Sequence, residues 1–167
     1  MHKNTAITDK IIKHRCYILT YKGFDMSLSK ETIEIVKATA KPVAENAEAI
    51  TARMYEILFE SHPETKALFS DASPDQHKKL AAAVGAYAAN IERLDILGDA
   101  LDKMAQAHVR TGVKPEYYPM VGVSLLGAVK DVLGDAATDE VLTAWKEAYF
   151  YLGDLLIARE KELYAAA

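Results

Sequence analysis

The run L-D-K-M-A-Q-A-H-V-R-T-G-V-K-P-E-Y-Y, from Leu101 to Tyr118, decides how the rest of the chain is interpreted. Helical spacing places His108 at the end of an apolar face, and Gly112 and Pro115 then interrupt the helix. An imidazole in this position is either an iron ligand beside a flat apolar cofactor or an ordinary histidine near a helix end. The run by itself leaves both readings open. The other residues of the apolar face are Leu101, Met104 and Ala105.

Helical periodicity continues almost everywhere from Ser29 onward. Ser29 can cap the first helix, Pro63 suits the first turn of a short helix, and Thr138 can cap the last helix. Pro42 should kink or divide the first helix. The pattern predicts an all-α domain of seven or eight helices of unequal length. After the first helix, the predicted helices cover about 47–60, 63–69, 75–91, 94–109, from 115 or 119 to the natural stop at Gly134, and 138–163.

The first 25 residues differ from everything that follows them. They combine Lys, His and Arg with the run C-Y-I-L-T-Y at 16–21, which favours strand over helix. Met26 then resembles a second translation start, and the residues after it lead into the helix cap at Ser29. We therefore expect two units, a loosely attached extension at 1–25 and a helical domain at 26–167, and we hypothesise that Met26 is the true initiator.

Composition limits the classes of function. The 167 residues are long enough for one domain with a sizeable core. A formal net charge of −4, from 20 Lys and Arg against 24 Asp and Glu, offers no cationic field, so we expect no nucleic-acid partner. The single cysteine, Cys16, cannot form an intramolecular disulfide, and no apolar run is long enough to span a membrane. These features favour a cytoplasmic protein.

Several catalytic templates do not match. The segment from Gly122 to Gly127 has the glycine spacing of a phosphate loop, but Ala128 stands where lysine is required, and the segment reads as the middle of a helix. There is no H-E-x-x-H motif, and His14 and His62 do not form a zinc-binding pattern. The sequence also contains no dinucleotide fingerprint, so it shows no site for NADH or flavin.

Many separated motifs nevertheless follow one another in a familiar order. They include Y-E-I-L-F (55–59), H-P-E-T-K-A-L-F (62–69), A-H-V-R-T-G-V (107–113), Y-Y-P-M-V-G (117–122) and A-W-K-E-A-Y (144–149). Over about residues 27–164 the chain resembles the bacterial single-domain haemoglobins and the globin domain of flavohaemoglobins. The resemblance implies a globin fold, in which unequal helices surround a haem pocket, with haem b as the cofactor. A uniform helical bundle is the structural alternative.

The resemblance implies that His108 is the proximal ligand of the haem iron, because it matches the histidine of A-H-V-R-T-G-V. It also implies that Tyr118 and Glu160 act behind this histidine. A carboxylate and a phenol next to the other ring nitrogen would orient the imidazole and give it partial imidazolate character. Without the resemblance, the charged neighbours of Glu160 would make it a solvated residue on a surface helix.

On the opposite, distal side, the resemblance implies that Tyr55 donates a hydrogen bond to bound O2 and that Phe69 packs on the haem plane. Read alone, both would be ordinary aromatic residues of a helical core. The same resemblance places Val113, Val121 and Tyr149 among the residues at the haem. Trp145 and Tyr149 are expected first to belong to the core of the last helix, with Tyr149 a secondary candidate near the haem.

Gln76 matches the distal glutamine of the family, with Leu80 four residues later on the same helical face as an apolar wall. The loop between Phe69 and Gln76 is shorter than usual in the family. His77, with Ala81 as its wall, is therefore the alternative distal residue.

The implied function is reversible O2 binding and the oxidation of NO to nitrate, with CO as a further ligand. Tyr55 and Gln76 would hold and polarise O2, while the residues behind His108 would tune the iron. Because the chain ends at Ala167 without a reductase domain, we expect a separate reductase, and we expect a monomer or a homodimer. The alternatives are a non-catalytic protein that stores, delivers or senses O2, and a helical interaction module without a cofactor.

Overall fold

The computed structural model describes residues 27–167, so the predicted extension at 1–25 lies outside the described residues. Residues 27–167 form α-helices and short 3-10 helices without a β-strand, which confirms the all-α prediction. The α-helices are α1 (Lys30–Glu45), α2 (Ala47–Ser61), α3 (Gln76–Ala89), α4 (Gly98–Thr111), α5 (Tyr117–Leu133) and α6 (Asp139–Ala165). The 3-10 helices are Pro63–Phe69, Leu94–Leu97 and Gly134–Ala136.

Local capping chemistry explains several of the helix boundaries. The Ser29 hydroxyl accepts a hydrogen bond from the Thr32 amide at 3.0 Å, and the Thr138 hydroxyl caps α6 in the same way. Helix α4 ends at Gly112, whose φ of 74° lies in the left-handed region that favours glycine. The caps predicted at Ser29 and Thr138 are therefore present.

Of the two effects predicted for Pro42, a kink or a division of the first helix, the division does not occur. The helix continues from Pro42 to Glu45, and the break between α1 and α2 falls at Asn46. The Asn46 side-chain amide donates to the Pro42 carbonyl at 2.8 Å. Proline lacks a backbone N–H, so one helical hydrogen bond is missing at Pro42. Pro42 lies in the last turn of α1, where few further helical hydrogen bonds follow it.

Helix packing separates the regions that carry the predicted site residues. Helix α2 packs on α3 and α5, α1 packs on α3 and α6, and α4 packs on α6. Helices α3 and α4 make no extensive contact with each other within the described chain. A large apolar core lies under α1, α2, α3, α5 and α6, and a smaller cluster of Ala105, Tyr118 and Leu156 lies under α4. Tyr149 and Leu152 pack against both clusters.

None of the helices within 27–167 combines the length and the apolar character that crossing a bilayer requires.

The burial of α2 predicts a large stability difference between two identical substitutions. Ile50 is 1% exposed in the large core, whereas Ile96 is 55% exposed. Ile50→Ala should lower the free energy of unfolding by about 2–5 kcal/mol, because it leaves a cavity. Ile96→Ala should change it by less than about 0.5 kcal/mol. Urea unfolding followed by far-ultraviolet circular dichroism measures both, and equal effects would contradict the packing described for α2.

Candidate functional site

Three predicted proximal residues meet between α4, α5 and α6. The Nδ1 atom of His108 lies 2.8 Å from Oε1 of Glu160 and 3.0 Å from the hydroxyl oxygen of Tyr118. The Tyr118 hydroxyl also donates to the same Glu160 oxygen at 2.6 Å. Glu160 is 2% exposed, so its carboxylate is buried and satisfied within this cluster. The structure therefore brings together residues separated by up to 52 positions in the sequence.

The network determines which ring nitrogen of His108 is available. Because the Tyr118 hydroxyl donates its hydrogen to Glu160, its oxygen can only accept from His108, so the Nδ1 atom that faces both oxygens is the one that carries hydrogen. Burial and the hydrogen bond to Glu160 raise the pKa of Tyr118, which keeps its phenol protonated as a donor. The Nε2 atom of His108 makes no hydrogen bond to any residue in 27–167. Its lone pair is left for a ligand bond.

An ion pair holds α4 against α6 next to this network. The Arg159 guanidinium donates to the Asp102 carboxylate at 2.8 Å and to the Glu162 carboxylate at 2.6 Å. Ala105 of α4 is fully buried in the cluster with Tyr118 and Leu156. Because Arg159 precedes Glu160 in α6, these contacts help to fix the distance between α4 and the buried carboxylate.

A second group of predicted residues lines a cavity between α2 and the start of α3. The cavity has a volume of about 320 Å³. Tyr55, Phe69, Gln76 and His77 all face it, which brings together the predicted distal residues. His108 does not line this cavity, so the predicted proximal and distal residues form two separate groups in the structure. The remaining lining residues are Ala52, Phe59, Ala72, Ser73 and Pro74.

The Tyr55 hydroxyl is one of the polar groups that line the cavity. Burial raises the pKa of Tyr55, and a side-chain interaction with Gln76 lowers it in part. Tyr55 therefore stays protonated near neutral pH, with the Gln76 amide next to it. The Thr51 hydroxyl donates to the His77 carbonyl at 2.8 Å and fixes the first turn of α3 against α2. Both Gln76 and His77 face the cavity, and the interaction with Tyr55 favours Gln76.

Sequence reasoning missed two residues of this cavity. The Phe59 ring lies 5.6 Å from the Tyr55 ring and 5.5 Å from the Phe69 ring, so three aromatic rings pack together. Its signal was present, since Phe59 lies four residues after Tyr55 on the same helical face. The Ser73 hydroxyl is buried without a hydrogen-bond partner in the described chain. No local pattern indicates that feature, because it depends on how the loop packs.

The other predicted contact residues occupy both apolar clusters. Leu80, Val121 and Tyr149 pack against the large core while remaining partly exposed, and Val113 packs against the cluster under α4. Ala81, the wall residue of the His77 alternative, is buried in the interior at 7% exposure. On α3, Leu80 is partly exposed and Ala81 is buried, while Gln76 and His77 are both partly exposed.

These features fit a flat apolar group that contains a metal and takes one ligand from the protein. A haem supplies four nitrogen ligands of its own and needs one axial donor from the protein, which the free Nε2 of His108 can provide. Leu101 and Met104 on α4 and Leu80 and Val84 on α3 are apolar but only partly buried. The unpartnered Ser73 hydroxyl is a further sign that the cavity is completed by a bound group, because leaving a buried hydroxyl unpaired costs about 1–3 kcal/mol.

Comparison with known proteins identifies the family. The family model for globins matches residues 52–154. The chain belongs to the globin family. Over 138 residues this globin is 50% identical to a globin-like protein of Aquifex aeolicus, with 83% of this chain and 98% of the relative covered. It spans about a third of the length of the curated flavohemoproteins that it matches.

Two solved structures share the fold. One is an engineered carbene transferase made from a candidate nitric oxide dioxygenase of Rhodothermus marinus. It has a TM-score of 0.80 and 41% identity, with 84% of this chain and 98% of that chain covered. The other is a flavohemoglobin of Malassezia yamatoensis with bound FAD and heme. It has a TM-score of 0.73 and 29% identity, with 83% of this chain and 38% of that chain covered. The predicted globin fold is confirmed, and the family and the haem-bound neighbour support a haem cofactor for this globin.

Removal of the candidate ligand should release the cofactor. We expect His108→Ala to lose most of its haem, because no other described side chain occupies the same place beside Glu160 and Tyr118. Added imidazole should restore binding by replacing the missing ring. The absorption spectrum of the purified variant, with and without imidazole, measures both effects.

His62→Ala is a suitable control, since His62 lies at the N-cap position of the 3-10 helix Pro63–Phe69 without a side-chain capping bond and does not line the cavity. It should keep its haem. Full haem retention by His108→Ala would contradict the ligand assignment.

Proposed function

We propose that this globin carries haem b, binds O2 reversibly and supports the oxidation of NO to nitrate in the cytoplasm. The single observation that carries the proposal is the pairing of two sites. One is a cavity with a protonated tyrosine donor, and the other is a histidine held from behind by a buried carboxylate. The likeness to a candidate nitric oxide dioxygenase and to flavohemoproteins supports the same function.

Conversion of one NO and one O2 to nitrate consumes one electron. Haem iron, when bound, supplies the O2-binding position and passes on that electron. We infer that a reductant outside residues 27–167 supplies the electrons, because the chain shows no dinucleotide or flavin motif. The proposed partners are therefore O2, NO and a reductase, with CO as a competing ligand.

The distal residues are proposed to select and hold O2. The Tyr55 hydroxyl can donate to a ligand that develops negative charge on its outer atom, and the Gln76 amide can orient that hydroxyl. Because CO polarises less than O2, the hydrogen bond should favour O2. The Phe59 and Phe69 rings pack against the Tyr55 ring and make the surroundings of its hydroxyl apolar.

The proximal residues are proposed to keep the imidazole electron-rich and immobile. Glu160 accepts the Nδ1 hydrogen and Tyr118 donates to the same carboxylate, so the ring orientation of His108 is fixed. A histidine ligand whose second nitrogen faces a carboxylate is a more basic donor than a free imidazole. A more basic ligand donates more electron density to the iron, which favours a reaction of bound O2 over a purely structural role for the haem.

Sustained NO consumption tests the proposal against oxygen storage or delivery. The purified haem-loaded protein should convert repeated additions of NO to nitrate when O2 and a reductant are present. The measurement combines an NO electrode with nitrate analysis. Consumption that stops after one equivalent despite the reductant would contradict the catalytic function and favour the non-catalytic alternative.

Substitution of Tyr55 tests the role of its hydroxyl. Tyr55→Phe should speed O2 dissociation by about tenfold or more, because a hydrogen bond to a charged partner contributes about 1.5–3 kcal/mol and every 1.4 kcal/mol is about tenfold. CO dissociation should change much less. Stopped-flow ligand replacement measures both rates.

Tyr151→Phe in α6 is the matched control, because Tyr151 does not line the distal cavity. Its rates should equal those of the unsubstituted protein. Equal acceleration of O2 and CO dissociation in Tyr55→Phe would show that the hydroxyl gives no selective bond.

A further inference from the structure

The hydroxyl of Thr51 links α2 to the first turn of α3. Thr51 is 1% exposed, and its Oγ1 atom lies 2.8 Å from the carbonyl oxygen of His77, a residue 26 positions away. The same Oγ1 atom lies 2.9 Å from the Ala47 carbonyl, one turn earlier in α2. The Ala47 carbonyl could satisfy the hydroxyl within α2, so the burial of Thr51 does not by itself require a contact with α3.

The start of α3 has few other attachments. Asp75 occupies the N-cap position, but its side chain makes no capping hydrogen bond. The Gln76 amide donates to the Ser73 carbonyl at 3.0 Å, and the other backbone hydrogen bonds of this loop are equally local. An uncapped first turn is a weak part of a helix, because its amides lack helical partners. Within residues 27–167, the hydrogen bond from Thr51 ties the backbone of this turn to another helix.

Two contacts from one face of α2 reach two consecutive residues of α3. Tyr55 follows Thr51 by four positions, so the two side chains lie on the same face of α2. Thr51 contacts the His77 backbone, and the Tyr55 hydroxyl interacts with the Gln76 side chain. Consecutive residues are about 100° apart around a helix axis, so a rotation of α3 would move the Gln76 amide away from Tyr55. The backbone contact of Thr51 opposes that rotation.

We propose that Thr51 is a positioning residue of the distal cavity. Its hydroxyl holds the first turn of α3 in the rotation that places Gln76, rather than His77, beside the Tyr55 hydroxyl. The proposal rests on the proposed function, in which Tyr55 and Gln76 hold O2. Thr51 does not line the cavity, so it acts through the backbone of α3 and needs no contact with the bound gas.

Thr51→Val tests the proposal, because it removes the hydroxyl and keeps the shape of the side chain. The first turn of α3 should open more often, so its amides should exchange with deuterium faster in the haem-loaded protein. Mass spectrometry of the peptides that cover residues 76–81 measures this exchange. A weaker contact between Gln76 and Tyr55 should also speed O2 dissociation by about two- to fivefold, less than in Tyr55→Phe.

Infrared spectroscopy of the CO complex gives a second measurement of the distal hydrogen bond. A hydrogen bond to the outer atom of bound CO lowers the wavenumber of the C–O stretching band. The band should therefore move to higher wavenumber in Thr51→Val. Thr51→Ser restores the hydroxyl, so the band and the O2 dissociation rate should return toward those of the unsubstituted protein.

Thr39→Val in α1 is a matched control. The Thr39 hydroxyl donates to the Ile35 carbonyl one turn earlier at 2.7 Å and accepts from Nε1 of Trp145 at 2.9 Å. This variant therefore also loses a threonine hydroxyl that joins two helices. Thr39 does not line the cavity and has no hydrogen bond to α3, so the band and the dissociation rate should remain unchanged.

A double variant tests whether Thr51 acts through Gln76. In a Gln76→Ala background, Thr51→Val should cause no further change in the band or the rate, because the side chain that Thr51 positions is gone. Unchanged values in Thr51→Val, or its full effect in the Gln76→Ala background, would overturn the proposal. If Thr51→Val folds poorly, Thr51→Ala removes the same hydroxyl and takes its place in these comparisons.

Failure of the proposed function would give a different result. If Tyr55→Phe leaves the C–O band and the O2 dissociation rate unchanged, the phenol makes no hydrogen bond to the ligand, and the roles of both Tyr55 and Thr51 are overturned. If Tyr55→Phe changes both values and Thr51→Val changes neither, only the positioning role of Thr51 is overturned.

Discussion

The hydrogen bond between His108 and the buried carboxylate of Glu160 is the constraint on which the rest of the site depends. A carboxylate in the interior must be paired, because leaving it unpaired is strongly unfavourable. Glu160 meets this requirement only when α4 brings His108 and α5 brings Tyr118 to the same place on α6. The pairing directs one ring nitrogen inward and leaves the other for a ligand. The architecture around α6 can therefore be understood as a support for one imidazole.

The two sides of the candidate haem site are built by different means. The proximal side uses a polar network that spans three helices, with the Asp102–Arg159 ion pair beside it. The distal side uses aromatic packing around one phenol, and the loop before α3 leaves the Ser73 hydroxyl unpaired. Helices α3 and α4 carry the two sides and do not pack closely on each other in the described chain. A flat cofactor between them would complete both apolar faces.

Much of the fold could be predicted from the sequence, because local chemistry determines many helix ends. Ser29 and Thr138 cap as expected, whereas Pro42 lies too near the end of α1 to divide it. The orientation of Glu160 could not be read from its charged neighbours, and only the family resemblance indicated it. Contacts between distant helices had no local signal either. The packing of Tyr149 on Gly122 and the burial of the Ser73 hydroxyl are examples.

The reduction potential of the haem-loaded protein tests the central claim most directly. If Glu160 gives His108 imidazolate character, it stabilises the ferric state. Glu160→Gln should then shift the midpoint potential to a more positive value in spectroelectrochemical titration. Glu162→Gln removes the same charge two residues away, from a side chain that pairs with Arg159, and should have a much smaller effect. Equal potentials for Glu160→Gln and the unsubstituted protein would contradict the account.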